Sequence, residues 1–229
     1  MKKLLKEKLK FFYRVLMIAK TWGVLKIIMF IPYEIYYGFK FKVNTLFSVN
    51  NNELDVLPDE KENSTEYFPT PYYVAKKVFD FMKNELKDCN FIDFGCGAGR
   101  MLMFASEYSP KKVIGIEFSK KLCIQSEINL NTYFHKKKES NIDWEIVHSD
   151  ALLYEIDKSA NIFFFYDPFN EKIMKQMVKR INLSLERDPR KIYIVYISPV
   201  QRHLFIESNY KIQQANINKY NKGYIIFTN

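Results

Sequence analysis

The residues best suited to chemistry in this 229-residue chain are acids that stand where short apolar runs end. Asp93 precedes a glycine-rich stretch, Asp93-Phe94-Gly95-Cys96-Gly97-Ala98-Gly99. Glu117 closes "KVIGIE", Asp150 closes "WEIVHSD", and Asp167 opens the corner Asp167-Pro168-Phe169. A hydrophobic core does not require carboxylates at such places, whereas a ligand rich in hydroxyls, carrying a cation or bearing an amine does. Gly95, Gly97 and Gly99 let that ligand come close to the backbone. A dinucleotide loop of the form GxGxxG wants glycine or alanine at position 100, where Arg100 stands, and the phosphate pattern GxxxxGK[ST] is absent. Glu117, one strand beyond the glycines, is suited to accept hydrogen bonds from both hydroxyls of a ribose. The plainer alternative is an exposed acid capping the helix that begins near Ser119.

These residues are positioned by alternating elements. Strands are predicted at 90–95, 112–117, 144–150, 161–167 and 191–199, the fourth so apolar that both of its faces should be buried. Helices are predicted at 100–108, 119–138 and 170–187, with a short one near 200–207. Two β-like runs then flank Asn221-Lys222-Gly223 as a hairpin. The pattern predicts an α/β, Rossmann-like doubly wound, mostly parallel sheet with an antiparallel C-terminal hairpin, plus an N-terminal helical extension. Ligands of open parallel sheets sit beyond the carboxyl ends of the strands, which is where the acids fall. Ahead of the sheet, Thr70 or the Thr70-Pro71 pair starts a helix with Val74, Val78, Phe81 and Met82 on its apolar face.

Taken together, the glycine stretch, Glu117, Asp150 and the Asp167-Pro168-Phe169 corner resemble the class I S-adenosylmethionine-dependent methyltransferases, over roughly residues 65–229. The resemblance implies S-adenosyl-L-methionine as cofactor and S-adenosyl-L-homocysteine as product. It implies that Gly95, Cys96, Gly97 and Gly99 pass beneath the methionine part, with Asp93 near its amino group. Glu117, with Phe118 beside it, would hold the ribose, and Asp150 with Ala151 would meet the adenine. The stretch Tyr67-Phe68-Pro69-Thr70-Pro71-Tyr72 is similar to a Tyr-x-Pro-Thr-Pro-Tyr stretch of one bacterial subgroup, in which Tyr67 and Thr70 would close over the methionine end. In amine-methylating relatives the corner is Asp or Asn, then Pro-Pro, then an aromatic. The single proline here departs from that pattern and argues against nucleic-acid amine methylation. Asp167, Pro168 and Phe169 are the implied acceptor-binding residues, with Asp167 and Tyr166 as the catalytic candidates. The plainer alternative is a strand-to-helix turn whose Asn170 caps the next helix. The expected reaction moves a methyl group to an amine or hydroxyl of an unidentified small-molecule or protein acceptor. A protein-lysine methyltransferase at a membrane surface and a non-catalytic interaction module on the same fold are the alternatives.

Charge locates a second feature. Of the net +9, residues 1–42 carry +8, with ten Lys or Arg against Glu7 and Glu34. The remainder carries only +1, so composition does not demand a nucleic-acid groove, and nucleic acid is not expected as a partner. Leu5, Leu9, Phe12, Leu16 and Ala19 recur at helical spacing. Lys26, Pro32 and Glu34 interrupt the apolar run that follows, so it is too short to span a bilayer, and no cleavage site marks a signal peptide. The arm, residues 1–47, is therefore either a cap or lid on the domain or on a second copy of it, or a basic amphipathic element on an anionic membrane surface. Residues 48–66 are polar and read as a linker or loop, and 67–229 as the cofactor-binding domain. Cys89, Cys96 and Cys123 are odd in number without metal spacing, and His135, His148 and His203 form no ligand pattern. No metal is expected, and the setting is a reducing cytoplasm, with peripheral contact at the inner face of a membrane under the second reading of the arm.

Overall fold

The computed structural model describes residues 23–43, Thr45, 68–137 and 141–229, together with Leu16 and Ala19. The linker at 48–66, the boundary at 47, Tyr67 and most of residues 1–22 lie outside the described residues.

Among the described residues, seven strands form one sheet: β1 Asn90–Phe94, β2 Lys112–Glu117, β3 Asp143–His148, β4 Ile162–Tyr166, β5 Tyr193–Ile197, β6 Lys211–Ile217 and β7 Gly223–Thr228. Their order is β3-β2-β1-β4-β5-β7-β6. The first five run parallel, and β7 inserts antiparallel between β5 and β6, closing the hairpin that the sequence predicts. The order reverses between β1 and β4, and a crevice at the carboxyl ends of those strands is the ligand position of such sheets.

Both faces of β4 are covered. Phe164 packs on one side with Phe91 and Phe104, and Phe163 and Phe165 on the other with Phe94, as alternation along a strand requires. The first face is layered by α1 (Val24–Phe41), α2 (Tyr72–Phe81), α4 (Arg100–Ala105) and α5 (Lys120–Lys136). The short α3 (Lys83–Leu86) follows α2. The second face is covered by α6 (Glu171–Arg187) and α7 (His203–Glu207). Ser119 caps α5, its hydroxyl accepting from the Leu122 N–H, and Asn170 caps α6 through the Ile173 N–H.

The arm helix α1 runs unbroken through Pro32. Phe30, Glu34, Tyr37 and Phe41, spaced four, three and four apart, turn inward. The Tyr37 ring lies 5.0 Å from that of Tyr72 and 4.8 Å from that of Phe104. The described part of the arm is thus a cap on the domain. Among the described residues, no helix is long and apolar enough to cross a membrane.

Candidate functional site

The glycine stretch leaves β1 through three left-handed residues, with φ of 78° at Gly95, 54° at Gly97 and 77° at Gly99. Other residue types adopt that region only at a cost, so the loop path depends on glycine. The loop is also crowded. A Cβ on Gly99 would stand 2.4 Å from the Ser126 hydroxyl, and one on Gly95 would stand 3.2 Å from the Cβ of Pro168. The Asp167-Pro168-Phe169 corner therefore packs against the glycine loop. From α5, the Asn129 side-chain amide donates to the Ala98 carbonyl at 2.9 Å and fixes the far side of the loop.

Glu117 at the end of β2 is 3 % exposed, so it is not an exposed helix cap. Its Oε2 accepts the Gly97 N–H and its Oε1 the Ser119 N–H, both at 2.9 Å. Burial pushes its carboxyl up to about 7, against the backbone N–H groups and His148, which pull it down. Asp93 is 4 % exposed, and its carboxyl makes no hydrogen bond to a described residue. Burial, then the nearby Glu117 charge, raises it well above the ordinary carboxylate range. Two buried carboxyls thus flank the glycine loop, and neither has a cation against it among the described residues.

The other candidates are placed unevenly. Asp150 is exposed at the end of β3, where its carboxylate accepts the Leu152 N–H at 2.7 Å, with Ala151 buried behind it. Phe118 is half-buried, and its carbonyl sits 2.9 Å from the His148 ring nitrogen. The Cys96 thiol points into the core, because a Cβ on Gly115 would meet it at 2.6 Å; Cys96 can offer a ligand only its backbone. Thr70 is buried, and Pro71, not Thr70, is the N-cap of α2.

At the corner, Asp167 holds a left-handed φ of 39°, a strained geometry for a side-chain-bearing residue. Burial raises its carboxyl to about 6, opposed by the Lys222 charge and a hydrogen bond with Tyr196. Phe169 corrects an expectation. It is buried with Phe163, Phe165 and Met177 in the core on the α6 side of the sheet, which leaves its ring little surface for an acceptor. Pro168 stays half-buried against the loop. The aromatic that meets Tyr166 is instead Phe68, edge-on at 6.4 Å.

Several of these residues escaped the sequence. Phe68 is the unspecified position of the Tyr-x-Pro-Thr-Pro-Tyr stretch. Tyr196 and Lys222 come from β5 and the hairpin turn, far from the corner in sequence. Ser198 ends β5 with φ 48° and a buried hydroxyl that has no partner among the described residues. Arg100 and Glu34 form a buried ion pair at 2.9 Å. The guanidinium also donates to the Thr70 carbonyl and the Thr45 hydroxyl, both at 3.1 Å, and lies 4.0 Å over the Tyr72 ring. Glu34 in turn accepts the Tyr72 N–H at 2.9 Å, holding the first turn of α2. One signal could have found the pair: an acid on the Phe30/Tyr37/Phe41 face must meet a cation if that face is buried. Among the described residues, no cluster of His, Cys, Asp and Glu could hold a metal ion.

A doubly wound sheet of this order, five parallel strands followed by an antiparallel hairpin, is a Rossmann-like fold. Two solved structures share it. An Escherichia coli protein, yhhF, provisionally described as a methyltransferase, is 19% identical with a TM-score of 0.53, over 70% of this chain and 86% of its own. A Haemophilus influenzae protein, HI0767, provisionally described as a methylase, is 18% identical with a TM-score of 0.51, over 68% of this chain and 96% of its own. No family model and no curated protein matches the sequence.

Proposed function

We propose that this chain is a class I S-adenosylmethionine-dependent methyltransferase that acts on an amine or hydroxyl of a small-molecule or protein acceptor. In this proposal residues 67–229 form the catalytic domain, 48–66 a linker and 1–47 an arm, and the protein works in the cytoplasm at the inner face of a membrane. The observation that carries it is the pair of buried carboxyls, Asp93 and Glu117, on a loop of three left-handed glycines. Two carboxyls repel a phosphate, and the Arg100 guanidinium that might have offset them is held by Glu34. A ligand with an ammonium group and ribose hydroxyls fits the same donor set.

When bound, S-adenosylmethionine supplies a methyl group on a sulfonium, an activated leaving group that departs as S-adenosylhomocysteine. Asp93 would hold the methionyl ammonium. A carboxylate has about four acceptor positions, and Glu117 uses two of its own on Gly97 and Ser119, which leaves room for the ribose hydroxyls while fixing the group. Asp150, Ala151 and Phe118 would border the adenine, and Tyr67 and Thr70 the methionine end, with Gly95, Cys96 and Gly99 beneath it. On the acceptor side, Asp167 holds and deprotonates the nucleophile, and its raised carboxyl makes it a better base near neutral pH than an ordinary aspartate. Tyr166 and Phe68 wall the pocket and exclude water, and Pro168 ties the corner to the loop. The protein's main contribution is alignment of donor and acceptor.

Transfer of labelled methyl from the cofactor to a cell lysate, fractionated into protein, lipid, nucleic acid and small molecules, tests the proposal. Label should appear in the protein or small-molecule fraction and fall by about 100-fold or more with Asp167→Ala, in line with general-base loss. Binding of S-adenosylhomocysteine without label in any fraction would favour a non-catalytic module. Thermal stabilisation by NAD and not by S-adenosylhomocysteine would overturn the cofactor assignment.

A further inference from the structure

Helix α1 has a second apolar face that the domain does not use. Val24, Ile28, Ile35 and Phe39 fall within about 60° of one another at 3.6 residues per turn, opposite Phe30, Glu34, Tyr37 and Phe41. All four are exposed, Val24 at 71 %, Ile28 at 76 % and Phe39 at 75 %. Pro32 lies on the same side, and no charged residue interrupts the stripe within the helix. Isolated exposed hydrophobics are common, but an aligned stripe on a single helix marks an interaction surface.

The charge around the stripe selects its occupant. Ten lysines and arginines lie in residues 1–42, with Lys26 and Lys40 on α1 itself. Of the two acids there, Glu34 is buried on the inner face and neutralised by Arg100, which leaves Glu7 alone in opposition. An apolar stripe on a strongly basic segment complements an anionic lipid surface. A second copy of this chain would bring the same positive charge against itself.

Direction along the helix adds a consequence. Glu34 meets Arg100, which opens α4 at the carboxyl edge of the sheet, and Lys40 meets Glu107 beyond the other end of α4. From Glu34 back to Val24, α1 therefore extends about 15 Å past that contact, at 1.5 Å per residue. This is the side on which the strand ends open.

We propose that the outer face of α1 docks on an anionic bilayer surface, holding the strand-end site beside the lipid. The proposal does not rest on methyl transfer, and its test needs no activity. The full chain would be sedimented with vesicles of phosphatidylcholine alone and of phosphatidylcholine with phosphatidylglycerol. Binding should favour the anionic vesicles, weaken as salt rises, and drop by about tenfold or more in Ile28→Glu/Phe39→Glu, because two apolar anchors are lost and two negative charges gained. Both positions are exposed, so the variant should keep the parent's circular dichroism and melting temperature. Equal binding by the variant and the parent would overturn the proposal even if residues 1–22 still attract lipid. Absence of binding to either vesicle would overturn it as well. A concentration-dependent dimer in sedimentation velocity, abolished by the same two substitutions, would assign the face to a second copy instead.

Discussion

Two groups of buried acids lie on either side of the glycine loop, and they are treated in opposite ways. Glu34 is saturated: it takes the Arg100 guanidinium and the Tyr72 N–H, and the guanidinium is itself tied to Thr70, Thr45 and the Tyr72 ring. Asp93 and Glu117 have only backbone N–H groups or nothing, and burial lifts both carboxyls. A buried carboxylate that finds its cation within the fold is complete as it stands and acts as a fastener. One left without a cation destabilises the empty protein and gains when a suitable ligand arrives. The contrast separates structure from site without reference to any relative.

The largest effect should come from breaking the fastener. Arg100→Met leaves Glu34 buried and uncompensated, which costs about 3–5 kcal/mol. Thermal or urea denaturation would measure it, and Arg100→Met/Glu34→Leu should recover most of the loss. A loss as large in the double variant as in the single one would mean the pair itself is not what holds α1. On the other side of the loop, Glu117→Ala should leave the fold intact and weaken S-adenosylhomocysteine by about 100-fold, the equivalent of two hydrogen bonds to a charged group. Calorimetry that finds unchanged affinity would remove Glu117 from the ribose role. Asp93→Asn should be smaller and of mixed sign. The empty protein melts slightly higher at neutral pH, because the cost of keeping an ionisable carboxyl buried is removed, while ligand binding weakens by about tenfold. Loss on both counts would make Asp93 a fastener too.

A pH dependence sharpens the same contrast. The Glu117 carboxyl sits at about 7 when folded and near its ordinary 4.5 when unfolded. Between those values the folded protein keeps a proton that the unfolded chain has released. This group therefore lowers stability as pH rises from 4.5 to 7 and adds no further slope above that. The ligand-free protein should lose on the order of 10 °C of melting temperature across that window, and Glu117→Gln should flatten the trend. A ligand that favours the ionised form should release protons on binding, detectable as a buffer-dependent binding enthalpy at pH 6.5.

Much of this was legible in the sequence, for local reasons. Strand ends are marked by the change from apolar runs to Asp93, Glu117, Asp150 and Asp167, and the turn around Asn221-Lys222-Gly223 marks the hairpin. What escaped depends on contacts between distant residues. Glu34 looks like a flaw in an apolar run until Arg100, 66 positions away, is brought against it. Arg100 itself served only to exclude a dinucleotide loop. Phe169 reads as a pocket aromatic, but it is buried in the core on the α6 side, and the aromatic that meets Tyr166 is Phe68. Tyr196 reaches Asp167 because β5 pairs with β4, and Lys222 because the hairpin brings β7 beside β5.

The position of β7 also bears on how the chain is made. It is the seventh strand in order of synthesis, yet it sits inside the sheet with all six residues buried, and Thr228 bonds the Ile192 carbonyl at 2.8 Å. While β7 is still in the ribosomal tunnel, the flank of β5 is an open edge displaying unpaired backbone and an apolar surface. The sheet can therefore close only after residue 228 has emerged, and a nascent chain stalled before Gly223 would be a client for chaperones, not a partly working protein.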